Sequence, residues 1–534
     1  MAAPAVDTIT LSVIQASLMA AADEMFAVLR KTAMSPIIYE VLDVGTGITD
    51  ANGALVSSGA GIPTFVGVLD KAVKRIVELH GTDGIGEGDL FITNDPYFGG
   101  VTHLNDVVIA LPVFHEGTLV AWTASIAHWT DVGGKTPGSM AVDVTEIFQE
   151  GLRLPAVKLF EGGTLLQSVL DIITVNSRMP AFVAGDLWAQ VAASRKAETR
   201  IRQLLGTYGL AAHRAALADL FEEGERRGRA GLGMLPHGAF TIEEEQDDGA
   251  IWHAAITISP ERFRVDLSGN PQQRNAPYNT SRDGAVIAAQ MIFKALTDPT
   301  LFANEGSFRA LEVVTEPGTI FDAQGTAPHG YYFETRIRLN DMLWRCMARV
   351  LPDRLPAGHF ASICGTVIAG AHPDTGRRYT MVEPQMGGWG ATATRDGLDA
   401  MYSASHGDTF NCPVEICEAR YGIDVGYKRL AESDAGGGKH RGGTGLALSY
   451  RPRAKATLSA GYSRNRQPVW GLAGGSDGGT NGLTVIRRDG EILPISYASG
   501  VMIEPGDEIV ISTANGGGWG VPASSVEKNT EVSR

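Results

Sequence analysis

The sequence predicts an α+β protein of several domains, a glycine-rich mixed β body with helical segments at its N-terminus and centre. Three observations lead there. Apolar residues recur every three or four positions over residues 7–32, and a charged, helix-forming stretch occupies residues 185–231. Most of the remaining chain alternates short apolar runs with turn residues. The 65 glycines among 534 residues exceed the usual share of about 7%. They follow no collagen period and sit between apolar runs, which points to tight turns and close backbone approaches rather than disorder.

Asp7 or Thr8 caps a first helix reaching about Thr32, its apolar stripe formed by Leu11, Ile14, Leu18, Ala22, Phe26 and Leu29. After Pro36 the pattern becomes strand-like, with Asp50-Ala51-Asn52-Gly53 as a turn between two short strands. A helix over residues 68–80, a glycine-rich loop over 81–88 and a strand over 90–93 follow. Two apolar, partly β-branched runs, 107–114 and 119–125, flank His115-Glu116-Gly117-Thr118 and should pair as an antiparallel hairpin. The later helical stretch should break at 206–209, and its run 221–229 alternates Glu with Arg as a solvated helix face does. Beyond it, hairpins are expected at 240–258 and 483–495 and helices near 285–296 and 341–350. The resulting division is an N-terminal α/β region, 1–184; a helical connector, 185–235; a β-rich C-terminal region, 236–521; and a polar, disordered tail, 522–534.

A formal charge of −15 at pH 7 argues against nucleic acid or an anionic membrane as partner, since either needs a basic face. Cys346, Cys364, Cys412 and Cys417 include no Cys-x-x-Cys pair and read as reduced, buried thiols. No stretch reaches the roughly 18 apolar residues of a membrane span, and the N-terminus lacks the basic-then-apolar order of a secretory signal. A cytoplasmic protein is expected.

The chemistry-bearing segment is residues 94–134. A hairpin formed by its two apolar runs returns the residue after the second strand to the residues before the first, so His103, Asp106 and His128 meet at one end of the ladder. Two imidazoles and a carboxylate suit a divalent transition ion such as Mn, Fe, Zn or Co, and three protein ligands leave positions open for chemistry. The alternative is that these side chains only hydrogen-bond loop backbone. Asp131 stands three residues after His128, as Asp106 stands three after His103. It is a fourth ligand, an acceptor fixing an imidazole, or a general base.

Other motifs point away from nucleotide or covalent chemistry. In the glycine-rich stretch 432–445, His440 follows Lys439 where a P-loop needs Ser or Thr, and a strand rather than a helix comes next. Neither a dinucleotide fingerprint nor a Gly-x-Ser-x-Gly elbow is present.

Taken together, the landmarks resemble the hydantoinase B family, the metal-binding subunit of ATP-dependent hydantoinases, 5-oxoprolinase, caprolactamase and the acetone and acetophenone carboxylases. The resemblance rests on Ser35-Pro36 with Glu40 and Asp43, Asn94-Asp95-Pro96-Tyr97, Gly100-x-Thr-His-Leu-x-Asp106, His128-x-x-Asp-x-Gly-Gly134, Pro137-Gly-Ser-Met140 and Gln149-Glu150-Gly151. It continues through Val265-Asp266-x-Ser-Gly269, Gly387-Gly-Trp-Gly390, Lys439-x-Arg-Gly-Gly443, Trp470-Gly-Leu-x-Gly-Gly475 and Gly516-Gly-Gly-x-Gly520. In acetone carboxylase-like members the matching residues bind manganese, and they fall on His103, Asp106 and His128. Where the family often has a second histidine this chain has Trp129, expected to reshape the pocket.

The resemblance further implies a hydantoinase A-type partner, related to actin-like ATPases, that binds ATP and Mg in a hetero-oligomer, expected to be a heterotetramer. Phosphorylation of an amide or ketone oxygen would precede completion of the reaction at a Mn, Zn or Fe site on this chain. Opening of a hydantoin, lactam or oxoproline ring is expected, because carboxylase subunits of this type tend to be longer. The alternatives are ketone carboxylation using bicarbonate and a non-enzymatic scaffold.

Overall fold

The computed structural model describes residues 6–522 apart from 405, 408 and 434. Of the tail expected to be disordered, residues 523–534 lie outside the described residues. Helices α1 (Thr8–Thr32), α2 (Pro36–Tyr39), α3 (Pro63–His80), α4 (Gln167–Val175), α5 (Pro180–Leu232), α6 (Arg282–Thr297), α7 (Tyr332–Val350) and α8 (Val414–Tyr421) alternate with strands. Asp7 caps α1 by accepting from the amides of Ile9 and Thr10. By length and composition alone α1 would suit a membrane span, contrary to the expectation that no segment does. Its Ile14, Leu18, Ala22, Met25 and Leu29 are nevertheless buried in the protein core.

The first sheet contains β1 (Val44–Asp50), β2 (Leu55–Ser58), β3 (Leu90–Thr93), β4 (Asp106–His115), β5 (Thr118–His128), β6 (Val157–Glu161) and β7 (Thr164–Leu165). Their spatial order is β2-β1-β5-β4-β3-β6-β7. The expected hairpin is β4–β5. Its turn holds Glu116 at φ 49° and Gly117 at φ 74°, the left-handed pair that matches the twist of two strands joined by two residues. Helices α1 and α5 pack their apolar residues on one side of the sheet and α3 on the other, so Asp106 through Val113 are buried without a break.

Helix α5 bends at Gly209, φ 79°, inside the break expected at 206–209. Its residues Val183, Leu187, Val191, Ile201 and Leu217 belong to the first core, whereas Leu232 enters a second one. The stretch expected as a connector therefore also walls the first body. The second core lies between α6, α7 and the sheet of β8 (Gly238–Glu245), β9 (Ile251–Ile258), β10 (Phe263–Asp266) and β11 (Leu311–Val314), ordered β11-β10-β9-β8. In a third, β12 (Thr366–Ala371) and β13 (Arg378–Glu383) pair with strands Ala456–Gly461 and Tyr497–Ile503, facing a five-stranded sheet.

Three boundaries differ from expectation. Residues 36–39 are helical rather than extended, because Pro36 opens a turn whose Ile37 and Ile38 are buried. Helix α3 begins at Pro63 for the same reason. Helix α7 begins nine residues before 341, at Tyr332. Its buried face includes Glu334, Arg338 and Asp341, with Arg338 paired to Glu244 at 2.5 Å, so polarity conceals the helical period.

The glycine-rich stretches pack backbone on backbone. A Cβ on Gly388 would lie 2.1 Å from the Gly443 carbonyl oxygen, and one on Gly516 would lie 2.0 Å from that of Trp389. Close approach accounts for these glycines.

Candidate metal centre

Three neighbouring strands deliver a row of side chains to one sheet end. Strand β5 ends at His128, which lies opposite Asp106 at the start of β4. On its other side β5 pairs antiparallel with β1, Val44 facing Ala127, so Asp43, one residue before β1, comes alongside His128. The His128 amide donates to the Asp43 carbonyl at 3.1 Å. His103 completes the group from the turn before β4, where its carbonyl accepts from the Asp106 amide at 3.1 Å.

Ligand-type atoms of His103, Asp106 and His128 all lie within 4.8 Å of one another. His103 Nε2 is 3.1 Å from Asp106 Oδ1. The other imidazole nitrogen, Nδ1, lies 3.1 Å from the Gly330 carbonyl oxygen. A carbonyl can only accept, so Nδ1 carries a proton, and Nε2 is the nitrogen that faces the site. Asp106 Oδ2 accepts from Thr102 Oγ1 at 2.5 Å and from the Tyr332 hydroxyl at 3.3 Å.

Electrostatics favour a cation here. Burial, reinforced by the Asp106 charge, pushes Asp43 well above the usual carboxylate range. Burial and then the neighbouring His103 push His128 down to about 4. Burial penalises the charges of Asp106 and His103 as well, yet their mutual attraction holds Asp106 below and His103 above their ordinary values. Asp43 Oδ1, Asp106 Oδ1 and His128 Nδ1 have no hydrogen-bond partner, although buried polar atoms are normally paired. Three such atoms beside the His103 imidazole match the ligand chemistry of a divalent ion.

These buried residues line a cavity of about 40 Å³, on the scale of an ion with a single water. Phe65, Met140 and Phe333 form apolar wall, and Arg336 and His406 add nitrogen atoms. His406 Nε2 has no hydrogen-bond partner, and burial, then the Arg336 charge, push its imidazole down to about 3.

Behind His103, the buried carboxylate of Glu150 accepts from the amides of His329 at 3.0 Å and Gly330 at 2.6 Å. It thereby fixes the peptide segment whose Gly330 carbonyl orients His103. Burial raises Glu150 to about 7.

The sequence-predicted residues separate into two groups. His103, Asp106 and His128 come together. Asp131 does not join them: its fully buried carboxylate accepts from the amides of Gly133, Gly138 and Arg178 and from Arg178 Nη1, at 2.9–3.1 Å. Those bonds commit it to the loop after β5 and leave it neither facing the cavity nor holding an imidazole. Trp129, expected to shape the pocket, turns into the core, where its indole donates to Gln190 Oε1 at 2.9 Å. Asp43 was legible only as part of a motif, and Glu150 likewise. Neither carried a role without the strand order.

A family model described as hydantoinase B/oxoprolinase matches residues 7–522. Caprolactamase subunit beta of Pseudomonas jessenii is 31% identical, over 97% of this chain and 91% of that one. The crystal structure of the ATP-dependent caprolactamase from the same organism superposes with a TM-score of 0.88 at 27% identity, covering 99% of this chain and 94% of the other. The 5-oxoprolinase of Dictyostelium discoideum is 28% identical over 98% of this chain, which spans 41% of its length. Nucleotide-free acetone carboxylase shares the fold, with a TM-score of 0.85 at 18% identity, covering 98% of this chain and 78% of that one.

Proposed function

We propose, from a chain that belongs to the hydantoinase B/oxoprolinase family, that Asp43, His103, Asp106 and His128 hold a divalent metal ion, Mn, Zn or Fe. The chain is then the metal-bearing subunit of an ATP-dependent hydrolase that opens a hydantoin, lactam or oxoproline ring. The observation that carries this reading is the convergence of four buried donors, three of them orphaned, on one cavity.

When bound, such an ion supplies Lewis acidity toward an amide carbonyl and activates water. The chain's own residues do the rest. Thr102 and Tyr332 hold the second oxygen of Asp106, and Glu150, through Gly330, holds the ring plane of His103. Phe65, Met140 and Phe333 give the cavity an apolar wall. His406 offers an unpartnered Nε2 to whatever enters.

The sequence carries no P-loop motif, so ATP and Mg are assigned to a hydantoinase A-type partner in a cytoplasmic heterotetramer. The subunit name of the caprolactamase relative fits a heteromer. Ketone carboxylation with bicarbonate has only likeness of fold behind it, at 18% identity.

The test is the co-expressed pair assayed with hydantoins, caprolactam, 5-oxoproline and acetone, following ring-opened product and phosphate release together. Metal content of wild type is compared with that of His128→Ala. Equal metal in both proteins ends the metal assignment. Product carrying carbon from labelled bicarbonate replaces the hydrolase reading with the carboxylase one.

A further inference from the structure

Away from the metal cavity, two clefts of about 330 and about 450 Å³ adjoin around the β12–β13 hairpin, sharing Met179, Arg378, Tyr379 and Thr380. Their combined walls carry five cations, Arg178, Arg377, Arg378, Arg420 and Lys455, and no aspartate or glutamate. On a chain of net charge −15 this concentration of one sign goes against the whole-molecule balance. A concave surface of single sign with low-dielectric walls focuses the field into the cleft.

The cations differ in how far they are already engaged. Arg178 serves Asp131, and Lys455 pairs with Glu504 at 3.0 Å. Arg420 sits over the Tyr39 ring at 5.6 Å. Arg377 and Arg378 pair with no carboxylate among the described residues.

These last two are held in place. The 372–377 turn that presents them is closed by His372, whose Nδ1 accepts from the amides of Asp374 at 3.2 Å and Thr375 at 3.3 Å. Nε2 of the same ring donates to the Ala419 carbonyl at 3.2 Å, next to Arg420 on α8. One buried imidazole thus ties the element bearing Arg377 and Arg378 to the element bearing Arg420. Thr375, Tyr379 and Thr380 add hydroxyls to the lining.

We propose that this cleft binds a small, multiply charged oxyanion, a phosphate or polycarboxylate. Guanidinium forks match the geometry of such groups, and hydroxyl donors complete the hydrogen bonding. The volume suits a compact ligand. The site is separate from the metal cavity yet shares a wall with it: Thr130 lines the cleft and His128 the cavity, while β13 runs from Arg378 in the cleft to Val382 in the cavity. The inference does not depend on the proposed reaction, because binding is measured without turnover.

Calorimetric titration of the full chain in low-salt buffer with pyrophosphate, and separately with citrate, tests it. We expect a Kd of about 1 mM or tighter for one of the two, weakened about tenfold or more by Arg377→Gln/Arg378→Gln. Arg420→Gln should weaken it by a smaller factor, with circular dichroism and metal content unchanged in both variants. Preference for pyrophosphate identifies a phosphate ligand, and preference for citrate a carboxylate one. Failure of both anions to bind, or equal affinity in the double variant, overturns the proposal. So does binding of a poly-glutamate peptide where neither small anion binds, which would make the face a contact for an acidic protein.

Discussion

Replacing Asp43 by Asn should change stability in opposite directions with and without metal. In the metal-free chain Asp43 buries a carboxyl whose Oδ1 has no partner, beside a second carboxylate. Burying a carboxylate charge beside a second one costs more than the about 1–3 kcal/mol of an unsatisfied neutral polar atom, and the neutral amide removes that charge. The sign with pH follows: a folded pKa raised above its unfolded value gives stability that is present at low pH and lost as pH rises. The advantage of Asn therefore grows toward neutral pH. In the loaded protein the same change removes an anionic ligand. At a metal concentration about 1,000-fold above Kd the ion stabilises by about 4.1 kcal/mol, and a 100-fold weakening leaves about 1.4 kcal/mol. Metal-free Asp43→Asn should thus unfold at higher urea than wild type, and metal-loaded Asp43→Asn at lower. Urea titrations in chelator and in excess Mn or Zn, with elemental analysis, measure both arms. Equal destabilisation in the two states would show that Asp43 is a packing group with no part in metal binding.

Three further outcomes follow from the same geometry. Glu150→Gln should weaken metal binding by about 10–100-fold while leaving every donor in place, read by competition with a chromogenic chelator; unchanged affinity would break the link through Gly330. Asp131→Asn should lower stability by about 1–3 kcal/mol, since it disrupts bonds to three amides and Arg178. It should leave metal content at the wild-type value; metal loss without loss of stability would return Asp131 to the site. His213 is buried on α5 with neither ring nitrogen hydrogen-bonded, and burial, then the Arg214 charge, lower it from 6.5 to about 4. A depressed imidazole pKa gives stability that is present above the unfolded value and lost as pH falls through the folded one. His213→Leu should accordingly flatten the decline between pH 6.5 and 4 by up to about 3 kcal/mol. Chemical denaturation across that window decides, and parallel profiles would rule the imidazole out as a source of acid lability.

The parts of the site that sequence reveals are those set by local register. The two apolar runs joined by Glu116-Gly117 admit one close pairing, and that pairing brings Asp106 opposite His128 whatever the rest of the fold does. Asp43 reaches the site by the same rule applied to β1 and β5. Nothing between residues 50 and 118 announces that those strands are neighbours, because a helix, a loop and three other strands intervene. The Asp131 expectation failed at the strand end. Equal spacing, three residues, suggested a repeat of the His103–Asp106 pair, but His103 precedes a strand inside a closed turn, whereas His128 ends one. Trp129 then enters the core, and the chain departs into a loop that needs a carboxylate to collect its amides.

A site assembled across separately packed bodies follows from that strand order. The ligand row belongs to the first sheet, but the groups that orient it come from elsewhere. Gly330 and Tyr332 approach from the start of α7, which is packed in the second core, and Val382 approaches from β13 in the third body. Each of these bodies has its own apolar core, and Met140, Tyr332, Phe333 and Val367 join them in a smaller buried cluster. What they share at this point is a set of buried charges that no single body neutralises: Asp43 and Asp106 from one, Arg336 from another. The four proposed ligands come from the first body alone, but their orientation depends on the other two. An ion held there would therefore sense the placement of α7 and β13, and a shift between bodies of the order of an ångström would be enough to alter the proposed coordination.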